Sequence, residues 1–185
     1  MLNITDLDFS FNVSTDSCLF KNLSLNVNQA EHVVIVGDSG GGKSTLLNVI
    51  ADGGQSAIKL SSGKSATMVL QEGALLDHLN VIDNLRLIMR YSDKSVNDAE
   101  IVTILQQLGV DSNVYKADVR QLSGGQMRRV SIARALLTNP DLILFDEPDA
   151  GLDIVNLTRL AQTVAQLSTE QGKSSITVSH NPFYI

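Results

Sequence analysis

Alternating apolar residues mark the beginning of the chain. Leu7, Phe9, Phe11 and Val13 are separated by polar residues, which is the period of a half-buried β-strand. The alternation returns over residues 19–27. We therefore predict that the chain opens with a hairpin-like pair of strands, which form a small N-terminal antiparallel β-subdomain.

Short strand-like runs and helical patterns then follow each other. The runs occur at residues 33–36, 66–70, 142–145 and 175–178. Helical patterns lie at residues 43–52, 124–138 and 153–171, and they end at a glycine or at an Asn-Pro pair. This order of strands and helices predicts an α/β fold with a mainly parallel sheet that is flanked by helices.

The middle of the chain has a helical period of its own. Its apolar residues fall at helical spacing: Leu79, Ile82, Leu85, Ile88 and Met89. A second helix is expected from about Asn97 to Leu108, with Gly109 at its end. We expect a single domain over residues 1–185, with a helical subdomain at about 73–122 inserted between the core segments 1–72 and 123–185.

Composition narrows the class of protein. The 185 residues are 43% hydrophobic and 18% charged, with a net charge of −6, and this acidic balance argues against a nucleic-acid partner. A lone cysteine, Cys18, suits a reducing compartment. No apolar run reaches membrane-helix length and the N-terminus lacks signal-peptide features, so we expect a cytosolic chain.

A glycine-rich turn between a strand and a helix carries the first chemical signal. It consists of Gly37, Asp38, Ser39, Gly40, Gly41, Gly42, Lys43, Ser44 and Thr45. Glycines let backbone amides surround a phosphate chain, and the helix start favours an anion. We expect Lys43 to reach the β- and γ-phosphates and the Ser44 hydroxyl to bind Mg²⁺. The alternative is a glycine-rich turn that binds nothing.

Two carboxylates follow the apolar run at residues 142–145. Asp146 ends this expected strand and is placed to hold Mg²⁺, directly or through water. Glu147 comes next and is expected to polarise a water molecule aimed at the γ-phosphate. The alternative is a solvated Asp-Glu turn closed by Pro148.

Further motifs identify a family. The sequence Leu-Ser-Gly-Gly-Gln at residues 122–126 matches the signature of the ATP-binding cassette (ABC) ATPases. The other motifs stand in the family's order around it. The phosphate loop and Gln71 precede the signature, and the Asp-Glu pair, Ala-Gly-Leu-Asp at 150–153 and His180 follow it. The chain therefore resembles ABC ATPases over nearly its whole length. The resemblance implies a phosphate-loop NTPase (RecA-like) core and ATP hydrolysis.

The resemblance also implies a shared site. Two such domains pack head to tail, and each ATP lies between one phosphate loop and the partner's signature residues: Ser123, Gly124, Gly125 and Gln126. The same serine and glutamine also fit a capping box for the following helix. Both roles are compatible in different nucleotide states.

The resemblance assigns further roles. Gln71 contacts Mg²⁺ or the attacking water, and His180 contacts the γ-phosphate. Phe11 is expected to stack on adenine, with core packing as the alternative. Asp153 lies at the dimer interface or caps a helix. The arginines after the signature are expected to be solvated or paired helix residues: Arg128, Arg129 and Arg134.

Some positions depart from the family pattern. Asp38 replaces a frequent proline, and Asp149 replaces a frequent threonine or serine. The sequence separation between Lys43 and Gln71 is short for the family, which predicts a reduced β-subdomain. The chain ends at Ile185, where most members continue, so it is either a minimal domain or a shortened one.

Two functions fit these patterns. The first is the ATP-hydrolysing subunit of an ABC transporter, which lies on the inner face of the cell membrane and contacts separate membrane subunits between Glu72 and Asn80. The alternative is a soluble ABC ATPase of an assembly or scaffold complex. A phosphate-loop kinase shares residues 37–45 but does not account for the signature or for His180.

Overall fold

The computed structural model describes residues 2–10, 18–53, 56–69, 75–91, 97–148 and 154–180. Within these ranges the strands are β1 (Leu2–Phe9), β2 (Phe20–Val27), β3 (His32–Val36), β4 (Ile58–Leu60), β5 (Ala66–Val69), β6 (Leu142–Asp146) and β7 (Ser174–Ser179). The helices are α1 (Lys43–Asp52), α2 (Val81–Tyr91), α3 (Asp98–Gln107), α4 (Gly124–Leu137) and α5 (Ile154–Gln171). Short 3₁₀ turns lie at Ser112–Val114 and Val119–Gln121.

The N-terminal strands form a three-stranded antiparallel sheet in the order β2-β1-β4. The predicted pair of strands is confirmed, with Leu2 opposite Val27 and Ile4 opposite Leu25. Strand β1 begins earlier than the alternation at Leu7 indicated. Strand β4 was missed, because three residues are too few to show a period.

The second sheet is parallel and has the order β3-β7-β6-β5, as the pattern of strands and helices predicted. Every residue of β6 and β7 is buried. Strand β7 nevertheless contains several polar residues, which burial requires to be hydrogen-bonded, as the two serines at its start show. Ser174 Oγ donates to the carbonyl of Asn28 at 2.8 Å, and Ser175 Oγ lies 2.5 Å from Nδ1 of His32.

The register of this sheet brings three segments together. Val36 at the end of β3 lies opposite Ser179, and Asp146 at the end of β6 lies opposite Val178. Because parallel strands end at one edge, the phosphate loop, Glu147 and His180 all start from this edge. Ligands of open α/β sheets bind at such an edge.

Helices α2, α3 and α4 pack around a hydrophobic cluster that continues to the parallel sheet and to α5. Val81, Leu85 and Met89 of α2 are fully buried in it, together with Phe145 of β6. The predicted helical period of residues 79–89 is therefore confirmed for α2. The extent of a separate subdomain at 73–122 remains a prediction.

The described helices are too short or too polar to span a membrane.

Candidate nucleotide-binding site

The phosphate loop joins β3 to α1 through backbone conformations that glycine favours. Gly40 and Gly42 have φ angles of 80° and 84°. Gly42 is the N-cap of α1, and no side chain caps this helix end. The first amides of α1 are therefore available to an anion, and the helix dipole favours one there.

Lys43 lies across the loop. Its ammonium donates hydrogen bonds to the carbonyls of Gly37 and Asp38, both at 2.8 Å. These bonds hold a positive charge over the same turn that presents the α1 amides. The predicted phosphate loop thus combines a cation with a helix N-terminus, a combination that suits polyphosphate.

Ser44 and Asp146 meet beside the loop. The Ser44 hydroxyl donates to Oδ1 of Asp146 at 2.8 Å, although the two residues are far apart in sequence. Asp146 is 8% exposed at the end of β6. A hydroxyl and a carboxylate are hard oxygen ligands, so this pair fits Mg²⁺. Among the described residues no group of three or more His, Cys, Asp or Glu forms a metal cluster, and Mg²⁺ does not need one when phosphates and waters complete its shell.

Glu147 and His180 form a second pair at the same edge. Nδ1 of His180 lies 3.3 Å from Oε1 of Glu147, and their side chains are 58% and 23% exposed, respectively. Glu147 has a φ angle of 45°, which is uncommon for a residue other than glycine. Backbone strain of this kind persists where the surrounding structure holds it, often at functional sites.

Two open cavities flank Glu147. The first has a volume of about 350 Å³ and is lined by phosphate-loop residues, Ser44 and Leu19. The second has a volume of about 480 Å³ and is lined by residues 36–39 and His180. Glu147 lines both cavities and therefore lies between them.

Leu19 was not singled out from the sequence. It precedes β2, and its side chain lies so close to Gly42 that an added Cβ would come within 3.1 Å of it. The signal was present, because the apolar alternation begins at this residue. Leu19 gives the first cavity an apolar wall that suits a flat organic group better than a phosphate.

The signature residues form a capping box at the start of α4. Ser123 Oγ accepts a hydrogen bond from the Gln126 amide, and Gln126 Oε1 accepts one from the Ser123 amide at 2.8 Å. The capping role is therefore confirmed. None of the described residues that line the two cavities belongs to the signature.

Arg128 is one of the three arginines whose role the sequence left open between solvation and pairing. It is buried, at 9% exposed, and its Nη2 donates to the carbonyl of Asp146 at 2.9 Å and to the carbonyl of Glu147. It is therefore paired with backbone, not solvated. Sequence reasoning could not find this contact, because its acceptors are main-chain atoms.

Three predicted residues lie outside the described residues: Phe11, Gln71 and Asp153. Of the predicted membrane-subunit contact, residues 75–80 are described. In this segment Leu75 packs against the helical cluster, whereas Leu76 is 40% exposed.

Phe9 and Phe20 pack on the N-terminal sheet with ring centroids 6.1 Å apart.

Known proteins are similar to this chain in sequence. Residues 20–150 match the family described as ABC transporter. The chain is 34% identical over 174 residues to the taurine import ATP-binding protein TauB of Pseudomonas aeruginosa, a match that covers 88% of this chain and 66% of that protein. It is 37% identical over 175 residues to the spermidine/putrescine import ATP-binding protein PotA of Bacteroides fragilis, covering 86% of this chain and 37% of that one.

A solved structure extends the similarity to the fold. A dimeric ATP-binding cassette in a post-hydrolysis state, bound to ADP and Pi, matches with a TM-score of 0.88 and 25% identity. The match covers 100% of this chain and 90% of that one. The chain thus spans from about a third to two thirds of the length of the two curated relatives and nearly all of the solved cassette. It belongs to the ABC transporter family of ATP-binding proteins.

Proposed function

We propose that this chain binds and hydrolyses Mg·ATP as the ATP-binding subunit of an ABC transporter. The observation that carries the proposal is the meeting of four elements at one sheet edge: the phosphate loop, the Ser44–Asp146 pair, Glu147 and His180. Binding places the β- and γ-phosphates against Lys43 and the first amides of α1. The apolar wall at Leu19 then faces the nucleoside.

Ser44 and Asp146 are the residues that hold Mg²⁺ in this proposal. When bound, the ion would neutralise charge on the phosphate oxygens. Gln71 is assigned to the same ion or to the attacking water by family resemblance. Because the Ser44 hydroxyl donates to Asp146, the two oxygen atoms that would hold the ion already lie 2.8 Å apart.

Hydrolysis proceeds by in-line attack of water on the γ-phosphorus. Glu147 orients the water and accepts its proton, and the leaving group is ADP. His180 keeps the Glu147 carboxylate in place through the 3.3 Å contact and reaches the γ-phosphate on the open side. Lys43 and the loop amides stabilise the negative charge of the transition state, which is the dominant contribution in phosphoryl transfer.

A second copy of the chain, or a related domain, completes the site. The proposal is supported by the absence of the signature residues from the described cavity linings and by the dimeric state of the solved cassette. Ser123, Gly124, Gly125 and Gln126 of one molecule would close the second cavity of the other. Turnover is then expected to require two molecules.

The proposed coupling is to membrane subunits. The curated relatives are named as import proteins, which supports transport over the assembly-complex alternative. Leu76, exposed beside the helical cluster, is the apolar contact that the described segment 75–80 offers to such a subunit. The two relatives are named for chemically different substrates, taurine and polyamines, so we assign no cargo to this chain.

Phosphate release from purified protein tests the proposed activity. We expect Mg·ATP to be hydrolysed and Lys43→Ala to abolish nucleotide binding and turnover together. ATP-dependent labelling of an acceptor without phosphate release would instead indicate a kinase. Isolation of the chain from its native membranes tests the coupling, since recovery only from the soluble fraction, with no integral membrane protein, would favour an assembly complex.

A further inference from the structure

A buried arginine connects the signature helix to the carboxylate edge. Arg128 is on the second turn of α4, the helix that begins at the signature residue Gly124. Its guanidinium crosses to the end of β6 and donates to the carbonyls of Asp146 and Glu147. A charged donor makes stronger hydrogen bonds than a neutral one, and burial removes competing water.

These carbonyls belong to the part of the backbone that sets the direction of the Glu147 side chain. The Glu147 amide donates to the carbonyl of Val178 at 3.0 Å. Both main-chain polar groups of Glu147, its N–H and its C=O, are therefore hydrogen-bonded. Its φ angle of 45° is disfavoured for glutamate without such support. Moving or removing the guanidinium is therefore expected to free Glu147 to rotate.

The other end of the connection is closely packed. Val130, Ile132 and Ala133 of α4 are fully buried in the helical cluster, and such close packing resists rearrangement of single residues within the helix. A displacement of the signature at the helix start would consequently be carried to Arg128 within one to two turns.

We propose that Arg128 is a positioning residue that couples the two ATP sites of a head-to-tail dimer. The inference rests on the proposed function: the signature of a chain contacts the partner's nucleotide, whereas Glu147 of that chain acts on its own. Arg128 joins these two elements within one molecule. Engagement of the signature at one site thereby adjusts Glu147 at the other.

The test compares two arginines. Arg128→Met keeps the unbranched apolar stem of the side chain and removes both hydrogen bonds. Arg120→Met is the matched control, because Arg120 pairs locally with Asp118 on the surface and its side chain is 69% exposed. Each variant is assayed for phosphate release against ATP concentration, for the Kd of a fluorescent ATP analogue, and for thermal unfolding.

We expect Arg128→Met to lower kcat at least tenfold and to change the nucleotide Kd by less than twofold. We also expect it to reduce the Hill coefficient of phosphate release to about 1 from a higher wild-type value. Arg128→Lys should recover part of kcat, since an ammonium can donate to the same carbonyls but ends one bond short of the position of Nη2. If Arg128→Met unfolds at the assay temperature, Arg128→Lys carries the same comparison.

Three results would overturn the inference. The first is a kcat for Arg128→Met within twofold of that for Arg120→Met. The second is a Hill coefficient of about 1 in the wild type, or one unchanged by the substitution. The third is a loss of activity that only follows the loss of folded protein. Absence of wild-type hydrolysis would contradict the proposed function itself and is thereby distinguished.

Discussion

Asn84 offers the sharpest test of how the structure holds the segment before α2. Its side chain is 2% exposed, and its Oδ1 accepts from the Leu76 amide at 2.7 Å. Its Nδ2 donates to the carbonyls of Leu76 and Asn80, both at 3.1 Å, and to that of Leu79 at 3.3 Å. One amide group therefore fastens residues 76–80 to the helix. Replacement by alanine removes all of these bonds.

The expected loss follows from these distances. Each hydrogen bond contributes roughly 0.5–1.5 kcal/mol net, so the three bonds at 2.7 and 3.1 Å together stabilise the fold by about 2–4 kcal/mol. A loss of 1 kcal/mol lowers the Tm by about 2–4 °C in a chain of this size. We therefore expect Asn84→Ala to lower the Tm by about 5–15 °C.

Thermal unfolding followed by circular dichroism measures this shift. Asn48→Ala is the control, because Asn48 is exposed on α1 and the same atoms are removed there without breaking a described hydrogen bond. We expect Asn48→Ala to unfold within about 2 °C of the wild type. Equal melting temperatures for the two variants would refute the reasoning, since they would show that the buried amide contributes no more than a solvated one.

Other predictions test catalysis, backbone conformation and pH dependence. Glu147→Gln should bind ATP but lower phosphate release by about 10²–10⁴-fold, the usual contribution of a general base, and wild-type rates would exclude this role. Gly109→Ala should lower the free energy of unfolding in urea more than Gly63→Ala does. Both glycines have a positive φ, which costs alanine about 1 kcal/mol, but of the two only Gly109 would bring the new Cβ against a guanidinium nitrogen, that of Arg159. Equal costs would show that this guanidinium moves away freely. Hydrogen bonds from a lysine ammonium and a serine amide lower the pKa of Asp141 in the folded state. The contribution of Asp141 to the free energy of unfolding is therefore present above its unfolded pKa of about 3.9 and is lost as the pH falls below that value. The Tm of Asp141→Asn should therefore fall less than that of the wild type between pH 5 and pH 3, and parallel curves would argue against it.

Much of the fold follows from local patterns. The phosphate loop, the capping box at Ser123 and a helix beginning near Asn97 were all predicted, because each depends on contacts between residues a few positions apart. Strand β4 was not, since its three residues are held by pairing with Leu2 and Ile4 of β1 and not by a period of their own. Asn84 was also missed, as nothing in a polar residue of an amphipathic helix shows that it will be buried.

By itself, the sequence determined that a phosphate loop precedes a helix, that two carboxylates end a buried strand and that a histidine ends another. Only the tertiary structure decided which of these groups meet. The order β3-β7-β6-β5 brings the strand ends together, and the hydrogen bond between Ser44 and Asp146 closes over 102 positions. Arg128 shows the same limit, because whether a helical arginine is solvated depends on the backbone it faces across the fold. The physical reason is that hydrogen bonds between distant segments depend on strand register and burial, which no local pattern of residues encodes.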